Sequence, residues 1–83
     1  MSSWRLLVNK PNRMYWEYFW ARRILAAKLN MEKIGNRWDI RLINVEGFEL
    51  ESGYANTKTQ AMNTVKKFKE NYKIGYGGQY TVR

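Results

Sequence analysis

Apolar and polar residues follow two different spacings along the chain, and each spacing predicts its own kind of element. In the segments 38–42 and 48–54 every second residue is apolar, aromatic or small, a pattern typical of half-buried β-strands. A three-residue loop with Gly47 in the left-handed conformation would join the two segments as a hairpin. This register sets Arg41 opposite Glu51, so we expect one apolar face and one charged face.

A helical spacing follows the hairpin. The sequence from Thr57 to Gln60 fits a capping box, in which the threonine caps the helix and the glutamine occupies the third helical position. The apolar residues that recur at helical spacing after this point form a core stripe: Ala61, Val65, Phe68 and Tyr72. We therefore expect an amphipathic helix that begins after Thr57.

Residues 13–34 contain the densest aromatic run of the chain and fit two interpretations. Residues 21–34 are rich in Ala, Leu, Arg, Lys and Glu and lack Gly and Pro, which predicts a helix that ends at Gly35. Residues 13–20 fit either a strand with one face made of Met14, Trp16, Tyr18 and Trp20, or a helix side shared by Trp16, Trp20, Ala27, Met31 and Ile34. Because the helical stripe continues into residues 21–34, we expect one helix over 12–34.

The order of the elements predicts the fold. Residues 4–8 form a short apolar run closed by Pro11, typical of a strand, and residues 79–83 form a terminal strand after a glycine-rich turn. Strand, helix, strand, strand, helix, strand is the order of a split βαβ. We therefore expect a single α+β domain over 1–83 with the ferredoxin-like arrangement, an antiparallel sheet with two helices on one face. If residues 13–20 are instead a strand paired with residues 4–8, the result is a five-stranded α+β sheet.

Charge and missing residue types narrow the function. The 83 residues include 15 Lys and Arg against 7 Asp and Glu, a formal charge of +8 that attracts polyanions. There is no cysteine and no histidine, and the acidic residues show no spacing suited to a hard cation. We therefore expect no enzymatic activity, no cofactor and no metal site. The sequence has neither a run of 18 apolar residues nor a secretory leader, which favours a cytoplasmic protein.

Four lysines lie on one shoulder of the helix predicted after Thr57, within a band of roughly 80° at about 100° per residue: Lys58, Lys66, Lys69 and Lys73. Such a row can follow a phosphate backbone. Alternatively, the lysine stems cover the edge of the core while the ammonium groups stay in water. Arg22, Arg23 and Arg37 would add contacts to the first arrangement. The first hypothesis is therefore a small basic protein that binds DNA or RNA.

The segment 14–23, MYWEYFWARR, offers a second hypothesis. Its rings can pack in the core, or they can form an exposed surface whose contact residues are Tyr15, Trp16, Tyr18 and Trp20. Such a surface would suit a protein-interaction module, for example a small inhibitor or accessory subunit that docks on an acidic partner. A helix lying in a membrane surface is a third interpretation, but Glu17 and Glu32 interrupt the separation of polar and apolar sides that it requires.

The segment 53–61, GYANTKTQA, resembles the strand-to-helix junction of the double-stranded RNA-binding domain, which reads G-x-G-x-S-K-K-x-A-K. Gly53, Lys58 and Ala61 match that pattern, whereas the two other lysines of the family are replaced. The resemblance implies that Lys58 contacts phosphate. A hairpin followed by a Thr-Lys junction is also similar to small DNA-binding sheet domains of the AP2 and integrase-arm kind.

The predicted order of elements also resembles that of the RNA recognition motif. That family presents aromatic and basic residues to RNA bases on the open face of its sheet. Here Asp39, Glu49 and Glu51 occupy the face of the hairpin that is expected to be exposed. The sequence therefore does not predict base recognition on that face.

Overall fold

Five consecutive strands and one helix make up the part of the chain that the structure describes. The computed structural model describes residues 3–19 and 24–72, and the terminal strand expected at 79–83 lies outside them. The elements are β1 (Ser3–Lys10), β2 (Arg13–Phe19), β3 (Leu25–Ile34), β4 (Arg37–Asn44), β5 (Glu49–Ala55) and α1 (Lys58–Asn71). The strands form one antiparallel sheet in chain order, so each strand pairs with the next. The helix packs on one face of this sheet, over β3, β4 and β5.

The expected ferredoxin-like fold with two helices is wrong, because most of the segment expected to be the first helix forms β2 and β3. In β3, Ala27, Leu29 and Met31 are fully buried, and the residues between them face the other side of the sheet. This two-residue period outweighs the helix-forming composition, since β3 pairs with β2 and β4 along its two edges. The other interpretation, in which residues 13–20 pair with residues 4–8, agrees with the observed pairing of β1 and β2.

The face of the sheet beneath α1 carries the core. Its buried side chains come from alternate positions of the strands and from the apolar stripe of the helix: Met14, Trp16, Tyr18, Ala27, Leu29, Met31, Trp38, Ile40, Leu42, Ala55, Ala61, Val65, Phe68 and Tyr72. The stripe predicted for the helix is therefore confirmed. Among the described side chains, no buried polar atom lacks a hydrogen-bond partner.

Both ends of α1 are fixed by specific contacts. At the start, Thr57 Oγ1 accepts a hydrogen bond from the backbone N–H of Gln60 at 3.1 Å, as the capping box predicts. The Gln60 side chain accepts a hydrogen bond of 3.3 Å from the backbone N–H of the residue before the cap. At the other end, the ring of Tyr72 packs with those of Trp4 and Tyr18, and the three ring centroids lie between 4.8 and 5.9 Å apart. These contacts anchor the helix on the sheet.

The β4–β5 hairpin follows the prediction in its loop and departs from it within the strands. Gly47 has a φ of +93°, the left-handed conformation expected for this position. A β-bulge next to Leu42 then shifts the register and places Glu51 opposite that buried leucine, on the face covered by α1. Arg41 consequently lies opposite Ser52, and the expected pair of Arg41 with Glu51 is wrong.

Candidate functional site

Two turns and the start of α1 meet at one end of the sheet. Because the strands follow chain order, the β1–β2 and β3–β4 turns lie at the same end, and α1 begins there after β5. The backbone N–H of Lys33 donates to the carbonyl of Asn12 at 2.8 Å. Lys58 Nζ donates to the carbonyl of Pro11 at 3.5 Å. These contacts join the three segments into one surface.

Basic side chains from all three segments converge on this surface, which we call the cationic end: Lys10, Arg13, Lys33, Arg37 and Lys58. Lys10 and Arg13 are directly opposite each other across β1 and β2. Lys33 and Arg37 flank the second turn but lie on opposite faces of the sheet, since Lys33 pairs with Trp38 and Arg37 with Ile34. Four of the five residues are exposed; Arg13 is half-buried, with its Nε donating to Asn30 Oδ1 at 2.9 Å.

Acidic residues offset only part of this charge. Glu32 and Asp39 lie at the same end, and Arg37 Nε is 3.2 Å from Asp39 Oδ1. Five cations against two anions leave three positive charges in excess. The first turn of α1 has no acidic residue, so the partial positive charge of the helix N-terminus adds to the excess. Like charges gathered at one end of the sheet repel one another, and a bound polyanion would relieve that repulsion.

The lysines of the predicted row on α1 differ in how far they are exposed to solvent. Lys58 and Lys66 are exposed, whereas Lys69 is half-buried, with its Nζ 4.5 Å from the ring centroid of Trp16. Burial lowers the pKa of Lys69, and its ammonium group contacts a core ring. Lys69 therefore follows the interpretation in which the lysine stem covers the edge of the core. The fourth member of the row, Lys73, lies outside the described residues.

The aromatic segment does not form one exposed surface. Trp16 is 4% exposed and Tyr18 is 9% exposed, and both pack in the core beneath α1, so neither can contact a partner directly. Tyr15 points to the other face, where its hydroxyl donates to Glu17 Oε2 at 2.8 Å. Burial, followed by this hydrogen bond, raises the pKa of Tyr15 to about 12. Three residues of the predicted sites lie outside the described residues: Trp20, Arg22 and Arg23.

The face of the sheet away from α1, which we call the open face, combines arginines with aromatic rings. The guanidinium carbon lies 5.0 Å from the ring centroid in Arg5–Phe19, 5.4 Å in Arg13–Tyr15 and 4.7 Å in Arg37–Tyr54. Two acidic residues of this face have partners, Glu17 in a hydrogen bond and Asp39 in an ion pair, whereas Glu49 is exposed on this face as expected. Glu51, expected on this face, lies on the covered side instead. The open face therefore carries less unpaired negative charge than the sequence indicated, so it repels an anion less.

Sequence reasoning missed three members of the cationic end, Lys10, Arg13 and Lys33, although the chain carries a signal for them. Each turn has a lysine before it and an arginine after it, in the segments KPNR (10–13) and KIGNR (33–37). A helix over 12–34 would hold these two segments about 33 Å apart, at its opposite ends. Only two antiparallel strands bring them together.

No protein-family model, no curated protein and no solved structure matches the chain. The resemblance of residues 53–61 to the double-stranded RNA-binding domain therefore stays a prediction. Among the described residues, no helix combines the length and the apolar character needed to cross a membrane. Within the same residues, no three acidic side chains are grouped so that they could hold a metal ion.

Proposed function

We propose that the protein binds nucleic acid by its phosphate backbone and that the cationic end is the contact surface. The observation that carries this proposal is the convergence of five basic residues from three separate segments. Basic side chains that neutralise phosphates release condensed counterions, and this release drives binding of any sequence. A cluster with three positive charges in excess, beside a helix N-terminus, is suited to that role.

The arrangement of the five residues fits a chain of phosphates better than a single small anion. Lys10, Arg13 and Arg37 belong to the open face, whereas Lys33 and Lys58 lie on the side of α1. The charges therefore extend around the end of the sheet and do not enclose one pocket. Lys66, which is exposed on the same shoulder of α1 as Lys58, continues the surface along the helix. A flexible or grooved polyanion can follow such a path.

The experiment compares two charge reversals that change net charge equally. Lys33→Glu alters the cationic end, and Lys67→Glu alters an exposed lysine on a different side of α1. Affinity for labelled DNA and RNA oligonucleotides is measured by fluorescence anisotropy between about 50 and 200 mM salt. We expect Lys33→Glu to weaken binding several-fold and to reduce the slope of log affinity against log salt by about one. Lys67→Glu should stay close to the wild type.

Two results would contradict the proposal. One is negligible affinity of the wild type for single-stranded and duplex oligonucleotides at the lowest salt concentration. The other is an equal effect of the two charge reversals, which would mean that only net charge attracts the ligand and that the cationic end has no special part in binding.

An acidic protein is the second candidate partner, because a cationic surface attracts any polyanion. The aromatic segment does not support this alternative, since Trp16 and Tyr18 are buried. Competition separates the two candidates: poly-L-glutamate should displace a bound oligonucleotide only at a much higher concentration of charge than unlabelled oligonucleotide does. Equal displacement per charge would show that the surface does not prefer phosphates, and more effective displacement by poly-L-glutamate would favour an acidic protein.

A further inference from the structure

The open face has a pocket between β4 and β5 to which phosphate binding gives no role. Its volume is about 350 Å³, and its wall includes Arg37, Asp39, Arg41, Glu49, Ser52 and Tyr54. This volume is at the small end of the range for ligand pockets, which is roughly 300–1,000 Å³. A second depression of about 370 Å³, across β3 and β4, shares Asp39 and Arg41 with the first. The two depressions therefore border the same two side chains of β4.

Tyr54 supplies an aromatic surface in this pocket. The residue is 68% exposed, so the core gains little from its ring. The guanidinium carbon of Arg37 lies 4.7 Å from the ring centroid, which holds the ring beside a positive charge. An exposed ring next to an arginine is the arrangement on which nucleobases stack, because every base has an aromatic face.

The remaining wall of the pocket offers both donors and acceptors of hydrogen bonds. Arg41 and Ser52 lie directly opposite each other, as do Asp39 and Tyr54, so all four side chains share the open face. A guanidinium donates, a carboxylate accepts and a hydroxyl does both. The edge of a nucleobase carries the same mixture, whereas a phosphate carries acceptors alone and cannot pair with the carboxylates of Asp39 and Glu49. The chemistry of the wall therefore favours a base over a phosphate.

Arg37 belongs both to the cationic end and to this pocket. We propose that the protein binds single-stranded nucleic acid, with phosphates on the cationic end and one unpaired base stacked on Tyr54 in the adjoining pocket. This inference rests on the proposed function and names its ligand class. The base must be unpaired, since in a duplex both faces of a base are covered by its neighbours and its pairing edge is occupied.

The experiment compares three variants. One removes the ring of Tyr54, one keeps it, and one removes a similarly exposed ring elsewhere. Tyr54→Ala deletes the stacking surface, and Tyr54→Phe keeps it. Phe48→Ala deletes a ring that is similarly exposed, at 65%, in the loop at the opposite end of the sheet. Binding is measured with a single-stranded oligonucleotide, the matching duplex, and a single strand of the same length that lacks bases. A thermal melt followed by circular dichroism confirms that each variant is folded.

We expect Tyr54→Ala to weaken binding of the single strand by about 5- to 150-fold, the range for loss of one stacked base. Tyr54→Phe and Phe48→Ala should bind nearly as the wild type does. The salt dependence should keep its slope in Tyr54→Ala, because no phosphate contact is lost. On the strand without bases, the effect of Tyr54→Ala should disappear.

The inference is overturned if Tyr54→Ala binds the single strand like the wild type, or if it weakens the duplex and the strand without bases equally. In either case Lys33→Glu can still reduce affinity, so the proposed function survives without the pocket. If the wild type binds none of the three oligonucleotides, the proposed function fails and the pocket inference fails with it.

Discussion

The two faces of the sheet are made of alternate residues of the same strands, yet they differ in almost every physical property. Beneath α1, Leu29, Met31, Ile40 and Leu42 have no exposed surface. On the open face, one residue further along, charged side chains of both signs occur and arginines lie over exposed or half-buried rings. A shift of one position along a strand therefore separates a core residue from a candidate binding residue.

The two faces therefore contribute differently to stability and to binding. The covered face supplies most of the apolar burial that offsets the loss of chain entropy on folding. Residues of the open face contribute less to stability, so they are free to hold mutually repelling cations and an exposed tyrosine. Substitutions in neighbouring positions should therefore have opposite consequences for folding and for binding.

The largest expected effect is a difference in stability between substitutions at two neighbouring residues of β4. Ile40→Ala should lower the free energy of unfolding by about 2–5 kcal/mol, because it leaves a cavity in a fully buried site. Arg41→Ala, on the open face, should change it by less than about 0.5 kcal/mol. Urea denaturation measures both values. If Ile40→Ala does not fold, Ile40→Val should show a loss of about 0.5–1.5 kcal/mol. Similar losses in Ile40→Val and Arg41→Ala would contradict the distinction between the faces.

A smaller effect should follow from weakening the helix that covers one face. Thr57→Ala removes the acceptor for the backbone N–H of Gln60 and should cost about 1 kcal/mol of stability. Thr59→Ala is the matched control, since Thr59 is exposed within the first turn and alanine favours the helix. Thermal unfolding should place the first variant below the wild type and the second at or slightly above it. The reverse order would argue against a capping role for Thr57.

The third expected effect appears only in alkaline solution, and each face contributes one tyrosine to it. Burial raises the pKa of Tyr72 on the covered face to about 12, as burial and the hydrogen bond with Glu17 do for Tyr15 on the open face. The ordinary value is 10.0, so an unfolded chain releases these two protons first. The stability that they contribute is therefore complete below pH 10 and is lost as the pH rises towards 12.

Denaturation at several alkaline pH values measures this loss. Tyr15→Phe and Tyr72→Phe should each make the decline in stability between pH 10 and pH 12 shallower. Tyr72→Phe also removes a hydrogen bond to the carbonyl of Ala26, so its stability at neutral pH should fall by about 1 kcal/mol. An unchanged decline in both variants would show that other groups cause the alkaline dependence.

The sequence predicted the parts of the fold in which local pattern and final structure agree. The capping box at Thr57, the apolar stripe of α1 and the loop at Gly47 are all visible over short distances, and the structure confirms them. In residues 25–34, by contrast, helix-forming residue types coexist with an alternation of buried and half-buried positions. Pairing with two neighbouring strands determines the conformation of this segment, and the local pattern of residues does not reveal which strands will pair with it.

The sequence likewise predicted only part of the candidate site. Lys58 and Arg37 were expected to contact phosphate, and both belong to the cationic end. Lys33 could be recognised only once β3 was known to be a strand, because its role depends on the position of a turn. The pocket beside Tyr54 depends on the bulge that moves Glu51 to the other face, and a bulge leaves little trace in the spacing of residues.

The order of the elements has a consequence for synthesis on the ribosome. All five strands that the structure describes precede α1 in the chain, so the sheet can emerge before the helix that covers it. Each strand pairs with its immediate successor, and such short-range pairing forms quickly. A nascent chain that has just completed β5 would therefore expose Trp16, Ile40 and their neighbours to other nascent chains. We expect aggregation to compete with folding during that interval, because transiently exposed apolar surface promotes association of incomplete chains.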